Sequence, residues 1–130
     1  MFEEEDGRYW LDRSIHGPLD ERVKILKKEN MKGKWNDILV SMKWAEDEKG
    51  YFKLWTNGNL LYDYRGQTKT KGTRTYFKFG IYRTGISRWL QSDRNINNEN
   101  NVPGQIIYYD EVRVANQCDK LNLNHLGYSC

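Results

Sequence analysis

The chain has 130 residues, which is the size of a single domain, so we expect one domain over residues 1–130. Its formal net charge of +3 is far from the dense lysine and arginine stripe of a nucleic-acid binder, and no apolar run approaches the roughly 20 residues that span a membrane. We therefore expect neither nucleic acid nor a membrane as a partner. Aromatic residues make up 14 % of the chain and helical periodicity is scarce, which favours an all-β protein.

The two ends of the chain bear on its compartment. Residues 1–6 are acidic where a signal peptide has a basic region, so we expect either a cytoplasmic protein or a chain whose true N-terminus lies upstream. Cys118 and Cys130 both lie in the C-terminal tail. A disulfide between them would fit an oxidising compartment and two thiols would fit the cytosol, and the sequence leaves both open.

The first thirty residues predict short elements. Residues 7–15 are typical of a strand, and the turn-forming residues 16–20 follow. Residues 21–31 place Val23, Ile25 and Leu26 among charged side chains. Either a strand or a short helix fits this pattern, and we favour the strand.

Residues 35–64 predict a meander of three strands. Apolar and polar residues alternate over residues 35–44, and residues 51–55 and 60–64 give the next two strands. Asn57-Gly58 is the strongest turn signal in the chain, because both residues tolerate the positive φ angles of a type I′ hairpin.

The second half predicts two strands with long connections. Residues 65–74 are a loop with three clustered cations, Lys69, Lys71 and Arg74. Residues 84–104 are polar and rich in asparagine, and a connection of this length is usually functional or disordered. Residues 105–114 alternate as a last strand, and the tail after Ala115 looks irregular.

Residues 76–83, Tyr-Phe-Lys-Phe-Gly-Ile-Tyr-Arg, alternate between two kinds of face. The apolar face, which would pack on a core, consists of Phe77, Phe79 and Ile81. The other face carries Tyr76, Lys78, Gly80 and Tyr82. In a strand the Cα atoms of Lys78 and Tyr82 would lie about 13 Å apart, which suits two neighbouring sugar units along the strand. A solvated outer face of a sheet is the simpler explanation.

Several segments follow one another in an order typical of one protein family. They are Trp35-Asn36-Asp37-Ile38, Lys43-Trp44, Gly50 to Gly58, Tyr76 to Arg83 and Tyr108 to Val114. Together, over residues 33–114, they resemble the C-terminal half of the polysaccharide lyases related to heparin lyase I and glucuronan lyase. The first segments are shared loosely by many lectin-like jelly rolls, whereas residues 76–83 are the more specific match to the lyases.

The resemblance implies a concanavalin-like jelly roll, an antiparallel β-sandwich with the polysaccharide in a groove on the concave sheet. Members of that family are usually much longer, and their earlier half supplies groove strands. We therefore expect a truncated chain or one completed by a partner chain. The resemblance also implies an extracellular or periplasmic protein, although no signal peptide is present.

The resemblance further implies cleavage of a uronic-acid polysaccharide by β-elimination, with no cofactor required. Tyr82 matches the family tyrosine that transfers protons, and Lys78 matches the lysine that holds the acid groups of the substrate. His16 is a candidate for the family's catalytic histidine. We expect four further residues to bind the acidic chain: Arg83, Tyr76, Arg74 and Lys71.

Asp110 lies in a context in which lectin-like jelly rolls often bind a structural calcium ion, for which oxygen ligands are suited. A hydrogen bond to the local backbone is the simpler alternative.

Two other functions of the protein stay open. A non-catalytic carbohydrate-binding module would keep the groove without a complete acid and base set, and a structural or attachment domain would hide a large apolar face in an assembly.

Overall fold

The computed structural model describes residues 2–5, 8–13, 21–81, 86–93, 95, 102 and 104–129. The chain divides into two compact units. The first consists of Met1–Thr75 together with Asn116–Cys130, and the second of Tyr76–Ala115. Within the described residues, no helix has both the length and the apolar character that a membrane crossing needs.

The first unit begins with a three-stranded antiparallel sheet. Its strands are β1 (Phe2–Glu5), β2 (Arg8–Arg13) and β3 (Glu21–Leu26), in the order β1-β2-β3. Strand β2 confirms a strand within residues 7–15. Strand β1 was not predicted, since a single apolar residue followed by three glutamates has no alternating pattern.

Residues 21–31 contain both of the elements that their pattern allows. Strand β3 ends at Leu26, and the single-turn helix α1 (Lys28–Met31) follows. The expected strand is therefore correct only for the first half of this stretch. Val23 and Ile25 lie two residues apart on one side of β3, whereas the polar residues of α1 offer no alternation that would extend the strand.

The predicted meander forms the second three-stranded antiparallel sheet of this unit. Its strands are β4 (Ile38–Lys43), β5 (Tyr51–Thr56) and β6 (Asn59–Arg65), in the order β4-β5-β6. The hairpin turn between β5 and β6 has φ angles of 49° at Asn57 and 80° at Gly58, as a turn with two positive φ angles requires.

Both sheets of the first unit contribute to one hydrophobic core. Leu54 of β5 is fully buried, and it clusters with Ile25 and Leu26 of β3. Leu54 also pairs directly with Val40 of β4 and Tyr62 of β6, so one cross-strand row supplies much of the contact. Complete burial of a leucine contributes roughly 2 kcal/mol to stability.

The C-terminal tail packs back on the first unit. It contains two short 3₁₀ turns, Cys118–Leu121 and Asn124–Leu126, and is otherwise irregular, as the sequence predicted. Leu123 and Tyr128 are buried. The Tyr128 hydroxyl accepts the backbone N–H of Gly58 at 2.9 Å, so the tail is attached to the β5–β6 turn. Cys118 is disulfide-bonded, so of the two alternatives left open by the sequence it is not a free thiol. Cys130 lies outside the described residues.

The second unit differs from the sequence prediction at both expected strands. Neither Tyr76–Ile81 nor residues 105–114 pair with a strand among the described residues. The extended backbone is interrupted at Gly80, where φ is +126°, and at Glu111, where φ is 54°. The face expected to pack on a core is instead exposed, with Phe79 at 62 %. The short helix α2 (Ile86–Leu90) lies within the stretch predicted as a loop.

Candidate active site

Lys78 and Tyr76 are in direct contact on the segment that precedes the predicted catalytic tyrosine. The Lys78 Nζ lies 4.6 Å from the centroid of the Tyr76 ring. The two residues are separated by one position, so the extended backbone puts their side chains on the same side. A cation over an aromatic face at an exposed site contributes about 0.5–1 kcal/mol, and it leaves the ammonium charge available to an anion.

The opposite side of the same segment forms an aromatic cluster. The rings of Phe77 and Phe79 are stacked with centroids 6.1 Å apart, and Phe79 meets Tyr109 edge to face at 5.6 Å. Such pairs contribute about 0.5–1.5 kcal/mol each. The cluster therefore brings Tyr109 into contact with the segment that carries Lys78.

Gly80, which directly follows this cluster in the chain, has a backbone conformation that favours glycine. Its φ of +126° is one that residues with a Cβ rarely adopt, and an added Cβ would meet no atom of the described residues within 4 Å. The backbone conformation, and not crowding, therefore requires glycine here.

The loop over residues 66–74, in the first unit, is held by the carboxylate of Glu46. Glu46 Oε1 lies 3.1 Å from Lys69 Nζ and accepts the backbone N–H of Gly72 at 3.1 Å. The hydrogen bond from Lys69, followed by the one from Gly72, lowers the pKa of Glu46. Lys69 is thus engaged in an ion pair, while Lys71 and Arg74 are exposed and make no ion pair with another described residue.

Thr68 locks the same loop to the turn before β5. Its hydroxyl donates to the Lys43 carbonyl at 2.7 Å and accepts the Ala45 N–H at 2.8 Å, and the residue is buried. The two backbone segments also approach closely at Gly50, where an added Cβ would lie 2.4 Å from the Gly66 carbonyl oxygen. The loop that presents Lys71 and Arg74 is therefore fixed in place.

Comparison with known protein families identifies the relationship of this chain. The family described as "Polysaccharide lyase" matches residues 12–113, which is most of the chain. The chain belongs to the polysaccharide lyase family. Membership of this family indicates a lyase that acts on polysaccharides. Searches of curated proteins and of solved structures found no match.

Three of the residues expected to do chemistry in this polysaccharide lyase lie outside the described residues. They are Tyr82, Arg83 and His16, and all three fall within the matched range. Their roles stay predictions. Of the other predicted residues, the structure brings together Lys78 and Tyr76, which lie on one side of one segment.

Asp110, the residue expected to bind calcium, forms a hydrogen bond with the local backbone, which was the simpler alternative. Its Oδ1 accepts the backbone N–H of the next residue, Glu111, at 2.9 Å, and Glu111 forms an ion pair with Arg113. Among the described residues, no group of three or more His, Cys, Asp or Glu side chains could hold a metal ion. A calcium ion at Asp110 stays a prediction, and the described side chains add no carboxylate cluster in its support.

Two residues that organise the loop of this lyase have no signal in the sequence. Glu46 is one acidic residue in a polar turn, and Thr68 is one of several loop threonines. Their partners, Gly72 and Lys43, lie 26 and 25 positions away along the chain. No local spacing signals a contact of that range, so neither role could have been read from the pattern.

Proposed function

We propose that this polysaccharide lyase cleaves an acidic, uronic-acid-containing polysaccharide by β-elimination and is related to heparin lyase I and glucuronan lyase. The observation that carries the proposal is the exposed pair of Lys78 and Tyr76 on the motif of residues 76–83. An ammonium group over an aromatic ring offers a charge to a carboxylate and an apolar surface to a sugar. In the first unit, Lys71 and Arg74 are exposed cations that we also assign to binding of the acidic chain.

The reaction moves one proton away from C5 and delivers one to a leaving oxygen. A base removes the C5 proton of the uronate, the C–H electrons form the C4–C5 double bond, and the C4–O4 bond breaks. An acid then protonates O4. We assign the proton transfer to Tyr82, with Lys78 and Arg83 stabilising the charge that develops on the uronate carboxyl.

A tyrosine needs help to act as the base in this reaction. The pKa of a phenol is ordinarily near 10, which is too high for an efficient base at neutral pH. Nearby cations favour the phenolate and lower that pKa. Lys78 and Arg83, four residues before and one residue after Tyr82, are the cations that the sequence supplies for this purpose.

We also propose that these residues work in a jelly-roll fold. Residues 76–81 and 104–115 expose apolar side chains that a sandwich would cover, among them Phe77, Ile106 and Val114. Further strands, from a partner chain or from a longer form of this chain, would supply that cover and the remaining groove.

An ultraviolet assay for unsaturated uronate tests the proposal. Glucuronan, alginate, heparin and heparan sulfate are each incubated with the protein, and the absorbance of the new C4–C5 double bond is followed. Rising absorbance on any of them would establish β-elimination and identify the substrate. A flat trace with all four, from protein that is folded and binds one of these chains, would instead favour a non-catalytic carbohydrate-binding module.

The substitution Tyr82→Phe tests the assigned residue. It removes only a hydroxyl, so we expect turnover to fall by about 10²-fold or more while the circular dichroism spectrum is unchanged. The matched control is Tyr108→Phe, which removes a hydroxyl from an exposed tyrosine of the same unit and should keep full activity. Equal activity of Tyr82→Phe and the native protein would remove Tyr82 from the mechanism.

A further inference from the structure

The positive charge of the chain is concentrated in one short stretch. Residues 24–34 contain five lysines and a single acidic residue, Glu29, a net charge of +4 that exceeds the +3 of the whole chain. The rest of the protein is therefore slightly acidic. This stretch covers the end of β3, helix α1 and the start of the connection to β4. The lysines are Lys24, Lys27, Lys28, Lys32 and Lys34.

An exposed tryptophan follows these lysines. The side chain of Trp35 is 70 % exposed, although tryptophan is usually largely buried in folded proteins. Lys27, Lys32 and Lys34 are exposed as well. The flat ring offers stacking to a sugar ring, and the exposed lysines that precede it in the chain offer ion pairing to the acid groups of a polysaccharide.

The backbone that carries Trp35 is fixed by side-chain hydrogen bonds. The Asn36 amide donates to the Asn30 carbonyl at 2.9 Å and accepts from the Asn57 amide at 3.1 Å. The Asp37 N–H donates to Asn57 Oδ1 at 2.9 Å. The connection is thus tied both to α1 and to the β5–β6 turn, so a ligand that binds there does not have to order it first.

Lys34 keeps its charge available in this arrangement. Its Nζ donates to the side-chain oxygen of Asn30 at 3.1 Å, and that partner is a neutral amide. The hydrogen bond positions the ammonium group without neutralising it, and its other two N–H groups have no acceptor within the part of the chain that the structure describes.

We propose that Lys27, Lys32, Lys34 and Trp35 form a second polysaccharide-binding surface, which binds an acidic chain in addition to the motif of residues 76–83. The ligand class rests on the proposed function, an acidic polysaccharide. The surface belongs to the first compact unit, whereas the motif belongs to the second. It would keep a long chain on the protein between cleavage events, and short oligosaccharides would gain little from it.

Two variants and a charge-matched control test this surface. Lys32→Gln/Lys34→Gln removes two charges, and Trp35→Ala removes the ring. Lys49→Gln/Lys120→Gln removes two charges from exposed positions elsewhere in the same unit. The Kd for long glucuronan, alginate and heparin chains is measured by calorimetry over a range of salt concentrations, and KM and kcat are measured on long and short chains of the polymer that is cleaved.

We expect Lys32→Gln/Lys34→Gln to weaken binding of the long chain about fivefold at low salt, with a smaller salt dependence. Trp35→Ala should weaken it about fivefold with the salt dependence unchanged. Both variants should raise KM for long chains and leave kcat and the short-chain KM unaltered. The control, Lys49→Gln/Lys120→Gln, should bind as the native protein does.

Two results would overturn the proposal. One is equal long-chain affinity of the native protein, Lys32→Gln/Lys34→Gln and Trp35→Ala. The other is tighter binding of single-stranded RNA than of any acidic polysaccharide, with the RNA affinity lost in the lysine variant, since the surface would then be a nucleic-acid site. Because Kd is measured without turnover, a protein that binds through Trp35 and cleaves nothing would refute the lyase assignment and leave this surface standing.

Discussion

The hydroxyl group of Thr68 joins two backbone segments that are far apart in sequence. It donates to the Lys43 carbonyl and accepts the Ala45 N–H, so one small side chain satisfies two backbone groups at and beyond the end of β4. Both groups would lose this hydrogen bond if the oxygen were removed. The Thr68 hydroxyl therefore helps to position the loop that carries Lys71 and Arg74, together with Glu46 and with backbone hydrogen bonds to Ala45 and Gly50.

Replacing Thr68 by valine, which has a similar shape, should lower the free energy of unfolding by about 2 kcal/mol, because two backbone groups are left unsatisfied. Urea unfolding measures this loss. Thr73→Val is the matched control. The Thr73 hydroxyl donates to the Thr70 carbonyl at an exposed site, so its loss should lower the unfolding free energy by only about 0.5 kcal/mol. Thr68→Ser should recover most of the stability. A Thr68→Val protein as stable as the Thr73→Val protein would contradict this role.

Glu46 makes the stability of the same loop depend on pH. Its pKa is lowered, chiefly by the hydrogen bond from Lys69 and then by the Gly72 N–H. A carboxylate with a lowered pKa stabilises the fold above its ordinary pKa, near 4.3, and this stabilisation is lost as the pH falls through the lowered value. At pH 7 the contribution is complete.

The native protein should therefore have a higher Tm than Glu46→Gln at pH 7, and the two values should converge as the pH falls through the lowered pKa of Glu46. The difference is expected to be modest, because the ion pair lies at the surface. In a Lys69→Gln background the effect of Glu46→Gln at pH 7 should shrink, since the largest cause of the lowered pKa is gone. A Tm difference that stays constant over this whole pH range would show that charge is not its source.

At the scale of elements, the β5–β6 hairpin is the part most closely determined by local sequence. Asn57 and Gly58 have φ angles of 49° and 80°, and the Gly58 N–H also binds the Tyr128 hydroxyl. An added Cβ at Gly58 would meet no described atom within 4 Å, so the backbone conformation is what opposes a side chain there.

Gly58→Ala should therefore cost about 1 kcal/mol of unfolding free energy, the penalty of a left-handed conformation for an L-residue. Chemical denaturation measures it. Gly104→Ala is the control, because an added Cβ there would likewise meet no atom of the described residues within 4 Å, and its φ lies outside the left-handed region. A destabilisation at Gly104 as large as that at Gly58 would show that the positive φ angle of Gly58 is not the cause of the cost.

Sequence alternation predicted β4, β5 and β6 correctly because each strand pairs with its neighbour along the chain. The same alternation in residues 76–83 and 105–114 led to two strands that the described residues do not form. A strand needs a partner, and alternation does not say whether one exists. The positive φ angles at Gly80 and Glu111 break both runs. Glutamate carries no signal for such an angle.

In the candidate site, too, contacts between near neighbours in sequence were predictable and long-range contacts were not. Positions 76 and 78 share a side in any extended backbone, so the contact of Tyr76 with Lys78 follows from spacing alone. The ion pair of Glu46 with Lys69 joins residues 23 positions apart, and only the folded chain brings them together. Local pattern thus indicates which residues share a face, whereas long-range packing decides which cations are drawn into ion pairs.

At the scale of the whole molecule, the C-terminal tail closes the first unit. The disulfide of Cys118 constrains the tail, and the buried Leu123 and Tyr128 attach it to the rest of the first unit.

Reduction with dithiothreitol should lower the unfolding free energy by about 2–4 kcal/mol, because the unfolded tail regains its conformational freedom. Thermal unfolding with and without reductant measures this. Cys118→Ser should be insensitive to dithiothreitol, and an unchanged Tm of the native protein would show that the disulfide adds no stability.

The division of the chain into two units has a consequence for how the protein can change over evolution. The chain leaves the first unit after Thr75 and returns at Asn116, so the second unit is an insertion between two anchored points. Closing a flexible loop costs only about 0.6 kcal/mol more for each doubling of its length. Residues 76–115, which include the lyase motif, can therefore lengthen or diversify at little cost to the sheets. New substrate preferences are most accessible to mutation in this segment.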